Sequence, residues 1–156
     1  MISVVIPAYN EEKFISLCLD SFVKQKTSCK FEVIVVDNNS KDKTSYVTGK
    51  YIKKLKLIVI KESRIGVSFA RNTGAKAAKG SLVVFIDADN IVPENFITEI
   101  YNKFFKEHYK AGTIFTLPIE KSVRGYLLFL ILEIIKITFN RPFGKNFCTK
   151  NKVENL

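Results

Sequence analysis

Two spacings of apolar residues alternate along the first two-thirds of the chain. Continuous runs rich in β-branched residues occur at Ile2 to Ile6, Phe31 to Val36, Leu57 to Ile60 and Leu82 to Ile86. Such runs predict buried strands. The first is closed by Pro7 and the second ends at Asp37. Between the first two, Ile15, Cys18, Leu19, Phe22 and Val23 fall at helical spacing, one apolar stripe on an amphipathic helix. Asn10 stands where a helix cap belongs, with Glu11 and Glu12 in the favourable first turn. DNNSKDKT predicts a turn into a second helix, and Gly66 to Lys79 a third, rich in small residues and closed by Gly80. Pro93 suits the first turn of a fourth helix, with Ile97, Ile100, Tyr101 and Phe104 on its inner face. A further strand is expected from Thr113 to Leu117.

Strand and helix alternate, and the strands are apolar on both faces. Both faces of the sheet must then be covered, so an α/β fold with a mostly parallel central sheet is expected. In open sheets of this kind ligands bind beyond the carboxyl ends of the strands. Three polar clusters fall at such ends: PAYNEE, DNNS and DADN. Three clusters on one sheet edge suggest one pocket. The dinucleotide fingerprint GxGxxG and the phosphate loop GxxxxGK[ST] are both absent. A divalent metal is the remaining device. Asp87 and Asp89 are two apart, so on an extended backbone they share a side. Two carboxylates there repel unless a cation is near, and Mg²⁺ or Mn²⁺ suits few carboxylates plus substrate phosphate oxygens. The plainer reading is that Asp89 or Asn90 caps the helix near Pro93.

Composition bounds this picture without choosing the ligand. A chain of 156 residues, 47% hydrophobic and 26% charged, makes one globular domain. A net charge of +10 and a pI near 9.5 favour anionic partners: nucleotides, nucleic acid or an anionic membrane face. Nucleic acid is not expected, because no binding motif or interleaved surface aromatics accompany the charge. Cys18, Cys29 and Cys148 are odd in number and scattered, which predicts reduced thiols in a cytoplasmic protein with no signal peptide. His108 lies among lysines and glutamates, and no hydrolytic triad forms around it. Tyr9 could stack on a base or fill an apolar gap. Arg71 could face phosphates or be a solvated charge. Gly66 and Gly74 are expected to serve close packing.

Taken together, SVVIPAYNEE, VIVVDNNSKDKT, GVSFARNTGAKAAKG and VVFIDADN resemble the family 2 glycosyltransferases of the GT-A fold, a Rossmann-like three-layer sandwich. The resemblance runs from Ile2 to about Leu117. It implies transfer of a sugar, with inversion, from a nucleoside-diphosphate sugar to an acceptor hydroxyl on a lipid-linked or polysaccharide acceptor. Pro7, Ala8, Tyr9 and Glu11 would border the nucleotide. Asp37 and Asn38 would meet base and ribose, although many relatives carry a second Asp in place of Asn38. Arg71, Asp87 and Ala88 would line the donor. Asp87, Ala88 and Asp89 match the DxD motif, whose last Asp holds Mg²⁺ or Mn²⁺.

On this reading residues 1–120 form the nucleotide-sugar-binding domain, and residues 121–156 an apolar helix and an incomplete acceptor-side segment of the same domain. The family's catalytic base, an Asp or Glu in an ED motif, is not found before Leu156. A truncated enzyme is expected, or alternatively a non-catalytic nucleotide-sugar-binding fragment. Gly125 to Phe139 is strongly apolar and flanked by Arg124 and Arg141. It is short for a span of about 20 residues. It would pack into the rest of the domain, or lie on the inner face of a membrane as a peripheral anchor.

Overall fold

The computed structural model describes residues 1–107 and the backbones of two further strands. The order is β1 (Ile2–Ala8), α1 (Ile15–Val23), β2 (Phe31–Asp37), α2 (Thr44–Gly49), β3 (Leu57–Lys61), α3 (Val67–Ala77), β4 (Leu82–Phe85), α4 (Phe96–Tyr101), β5 (Ala111–Thr113) and β6 (Phe147–Thr149). A π-helical turn, Asn102–Lys106, continues α4. The strands lie in the order β3-β2-β1-β4-β6-β5. β1 pairs in parallel with β2 and β4, and β2 with β3. β6 runs antiparallel between β4 and β5. The sheet is thus mostly parallel, as the apolar runs predict. Chain order reverses on either side of β1, and that switch point opens a crevice beyond the strands' carboxyl ends.

Alternate side chains of each strand feed two cores. Ile2, Val4, Ile6, Val33, Val35, Leu82 and Val84 face α1 and α4. Val5, Ile34, Val36, Val83 and Phe85 face α3 through Ala70 and Ala78. Helices cover both faces, which makes three layers. On α1, Ile15, Leu19 and Phe22 are fully buried, each contributing roughly 1.5–3 kcal/mol. α3 lies close to the sheet because Gly74 permits it. A Cβ there would stand 2.3 Å from Val5 Cγ1 and 3.1 Å from Val36 Cγ2.

Several local expectations change in the structure. Asn10 does not cap α1. It takes a left-handed turn at φ 56°, and its side chain bonds outside the helix. α1 begins four residues later than that cap implies, with no side-chain cap. Val23 and Tyr101 are exposed rather than buried, Tyr101 stacking on Phe105. α4 starts beyond Pro93, whose carbonyl accepts the Phe96 N–H. Gly80 is not a left-handed helix cap. It is a close approach, since a Cβ would meet the Met1 carbonyl oxygen and the Ser3 nitrogen at 2.7 Å. Gly66 serves conformation, at φ 143°, more than packing. Of the strand expected at Thr113 to Leu117, Thr113 ends β5 and the rest lies outside the described residues. So do His108 and Gly125 to Phe139. β6 was not anticipated, although it brings part of the 121–156 segment into the sheet.

Candidate functional site

The carboxyl ends of β1 and β2 carry the PAYNEE and DNNSKDKT loops, and these loops are laced together. Backbone N–H groups of Asn10, Glu11 and Glu12 donate to Ser40 Oγ, Thr44 Oγ1 and Asp42 Oδ2 at 3.0, 2.8 and 3.0 Å. In return, the Lys41 and Lys43 N–H groups donate to Asn10 Oδ1 and Glu12 Oε2 at 2.8 and 2.9 Å. The short polar side chains that mark turns in sequence thus join two loops about 30 residues apart. Asn39 adopts the left-handed region, φ 63°, in the second loop.

Asp37 closes β2 beneath this lacing and is 5% exposed. The Ser40 N–H donates to Oδ1 at 2.9 Å, and the Ser45 hydroxyl donates to Oδ2. Burial pushes its carboxyl up, but these donors and Lys61 outweigh burial and hold it below the ordinary aspartate value. It therefore stands as a fixed carboxylate with acceptor capacity to spare.

Asn38, 3% exposed, turns the other way. Its Nδ2 donates to the carbonyls of Glu62 and Arg64 at 3.3 and 2.6 Å, and its Oδ1 accepts the Gly66 N–H at 2.8 Å. Glu62, at the end of β3, takes the Arg64 guanidinium at 3.0 and 2.8 Å and the Thr73 hydroxyl at 2.6 Å. Those donors, Arg64 first, drive its carboxyl far below the ordinary glutamate value. Arg64 in turn lies over the Phe69 ring, 4.7 Å from its centroid. This cluster escaped the sequence reading. Its signal was KESRIG after the third strand, where the rule about strand ends applies equally.

The DADN stretch differs from expectation in backbone. β4 stops at Phe85, and Ala88 and Asp89 form a turn closed by the Asn90 N–H on the Asp87 carbonyl at 3.1 Å. The two carboxylates do not share an extended strand. Asp87 pairs with the Arg71 guanidinium at 2.9 Å, while Asp89 is exposed and Ala88 buried. Arg71 is therefore not a free surface charge: it reaches from α3 across the strand end. Buried Cys18 records the local field. Burial first, then Asp89, Asp87 and Glu11, push its thiol up to about 12. Among the described residues no three metal-ligating side chains enclose a cation site by themselves. A site with few carboxylates, completed by a ligand's oxygens, suits Mg²⁺ or Mn²⁺.

The structure brings Pro7, Ala8, Tyr9, Glu11, Asp37, Arg71, Asp87, Ala88 and Asp89 to one edge of the sheet, at the ends of β1, β2 and β4. Tyr9 is 46% exposed there, so it does not fill an apolar gap. Asn38 reaches the same edge with its carboxamide turned inward.

The family model for glycosyl transferase family 2 matches residues 3–147. This chain belongs to that family. It is 38% identical over 117 residues to the poly(ribitol-phosphate) beta-glucosyltransferase of Bacillus spizizenii, covering 72% of this chain and 18% of that protein. Its structure is similar to that of S. aureus TarS in complex with UDP-GlcNAc, with a TM-score of 0.68, 30% identity, 78% of this chain and 37% of that one. It is also similar to the mannosyltransferase PcManGT of Pyrobaculum calidifontis in complex with GDP-Man and Mn²⁺, with a TM-score of 0.74, 25% identity, 96% of this chain and 44% of that one. The fold is that of GT-A enzymes. The chain spans less than half the length of each of these three relatives.

Proposed function

We propose that this chain binds a nucleoside-diphosphate sugar at the β1, β2 and β4 edge, with Mg²⁺ or Mn²⁺. The sugar would pass, with inversion, to an acceptor hydroxyl. The observation that carries this reading is the exposed Asp89 beside Asp87, at the switch point of a family 2 fold and across the crevice from anchored Asp37. Asp37 would accept a hydrogen bond from the base or ribose without reorganising, since Ser40 and Ser45 already hold it. Tyr9 would offer its exposed ring to the base. Asp89, with Asp87 beside it, would hold the ion, and Arg71 would steady Asp87. When bound, the ion offsets charge on the leaving diphosphate. The fragment reading differs only in turnover, and a transfer assay separates the two.

Calorimetry with UDP and GDP in Mn²⁺ tests the proposal. Excess EDTA should weaken binding at least tenfold, about 1.4 kcal/mol. Equal affinity with and without the ion would sink it.

A peripheral position on the inner face of a membrane belongs to the same proposal, with a lipid-linked or polymeric acceptor. It is supported by the net charge of +10 and by the apolar Gly125 to Phe139 segment. Among the described residues no helix is long and apolar enough to cross a membrane. Anionic liposomes should pull the chain down, and high salt should release it only in part. Recovery of the whole chain in the supernatant would remove this element.

A further inference from the structure

We infer that Asn38 is a positioning residue for the donor site, acting through the loop at 62–66 and not by touching the nucleotide. This rests on the donor-binding reading above. Residues 63–65 are exposed, so the loop has little packing of its own. Asn38 ties it from beneath. Both carboxamide hydrogens go to carbonyl oxygens of the loop, Glu62 and Arg64, and the carboxamide oxygen takes the Gly66 N–H. Its own N–H donates to the Ala8 carbonyl at 2.8 Å, so one residue joins the ends of β1 and β2 to the segment after β3. The hydrogen-bond pattern fixes the amide's orientation, because the flipped carboxamide would set its oxygen against two carbonyls. At 3% exposure, little of the side chain is left for a ligand.

The loop it holds matters to the site. Glu62 donates its N–H to the Asp37 carbonyl at 2.9 Å, and Gly66 enters α3, which carries Arg71. Gly66 sits at φ 143°, a conformation that must be maintained from outside, and Asn38 supplies the contact that does so. A carboxylate in place of Asn38 keeps an acceptor for Gly66 but loses both donors. It would face two carbonyl oxygens instead.

Asn38→Asp in the intact chain therefore separates the two roles. Hydrogen exchange at the Gly66 amide, measured without ligand, should speed up at least tenfold. UDP affinity of the folded fraction in Mn²⁺ should fall at least tenfold. A direct ribose or base contact predicts the opposite: Asp would keep or improve binding and leave exchange at Gly66 unchanged, and that result overturns the inference. Thr73→Val tests the same loop from the α3 side by removing the hydroxyl on Glu62. It should speed Gly66 exchange and weaken UDP severalfold, so the test survives if Asn38→Asp does not fold. No change in either would also overturn the inference. If wild type binds neither UDP nor GDP, the donor reading fails, while the exchange measurements still decide what Asn38 does.

Discussion

Carboxylates stand at both ends of this sheet, and the two ends use them differently. At the amino edge, Glu32 opens β2 and is wholly buried. The Ser3 hydroxyl donates to its Oε1 at 2.6 Å, the Lys79 N–H donates to the same oxygen at 2.8 Å, and Lys56 stands 3.7 Å from Oε2. The Gly80 N–H then donates to Ser3 Oγ at 2.8 Å, so the side chain locks the α3–β4 connection onto β1. At the carboxyl edge, Asp89 is exposed and Asp37 retains acceptor capacity. A carboxylate consumed by its own protein stabilises the fold, whereas one left facing a crevice is available to a ligand. Composition cannot distinguish them, and neither can a count of donors, since Glu32 and Asp37 each hold two. Position and exposure can, Glu32 being wholly buried at the amino edge and Asp89 exposed at the carboxyl edge.

The largest effect should come from breaking the amino-edge clamp. Glu32→Ala strands a buried hydroxyl and a part-buried N–H, and should lower unfolding free energy by about 3 kcal/mol. Urea denaturation measures this, and UDP affinity of the folded fraction should hold. Next is Gly74→Ala, whose methyl collides with Val5 and should cost about 1–3 kcal/mol by the same assay. At the other edge the signs reverse. Asp89→Ala should change stability by less than about 0.5 kcal/mol, since the side chain is exposed. Yet it should weaken UDP binding in Mn²⁺ as much as EDTA weakens wild type. A stability loss without an affinity loss would dissolve the comparison.

The smallest effect is a pH dependence that both edges share. Glu32 and Asp37 are pushed up by burial, but their donors outweigh it and hold both below ordinary carboxyl values. Glu62 is lowered chiefly by Arg64. A lowered folded-state value means the folded state resists protonation more than the unfolded chain does. The stabilisation is therefore present above the unfolded carboxyl values, about pH 4, and is lost as pH falls through the folded ones. Urea midpoints should be level from neutral pH to about pH 5 and then decline. Glu32→Gln should flatten that decline; a decline identical to wild type would show that Glu32 contributes nothing to it.

Much of this was legible in the chain itself. Four continuous apolar runs specify four parallel strands, because only strands covered on both faces tolerate apolar residues at every position. Their polar ends point to the candidate site, because a parallel sheet delivers all its strand ends to one edge. Asp37, Asp87 and Asp89 were found this way, and KESRIG could have been. What the sequence could not determine is where each polar side chain points. Asn10 has the composition of a helix cap and became a loop-to-loop tie, because its partners at Lys41 and Ser40 arrive only when β2 aligns beside β1. Asp87 and Asp89 looked equivalent until β4 ended early, and Arg71, sixteen residues away on α3, claimed one of them. Asn38 lies one residue from Asp37 and turns inward, because the backbone of a loop 24 to 28 residues on supplies its three partners. Local pattern determines which residues are buried in strands and helices, since that depends on period alone. Hydrogen-bond partners that are distant in sequence depend on how the layers stack, and only the tertiary structure decides them.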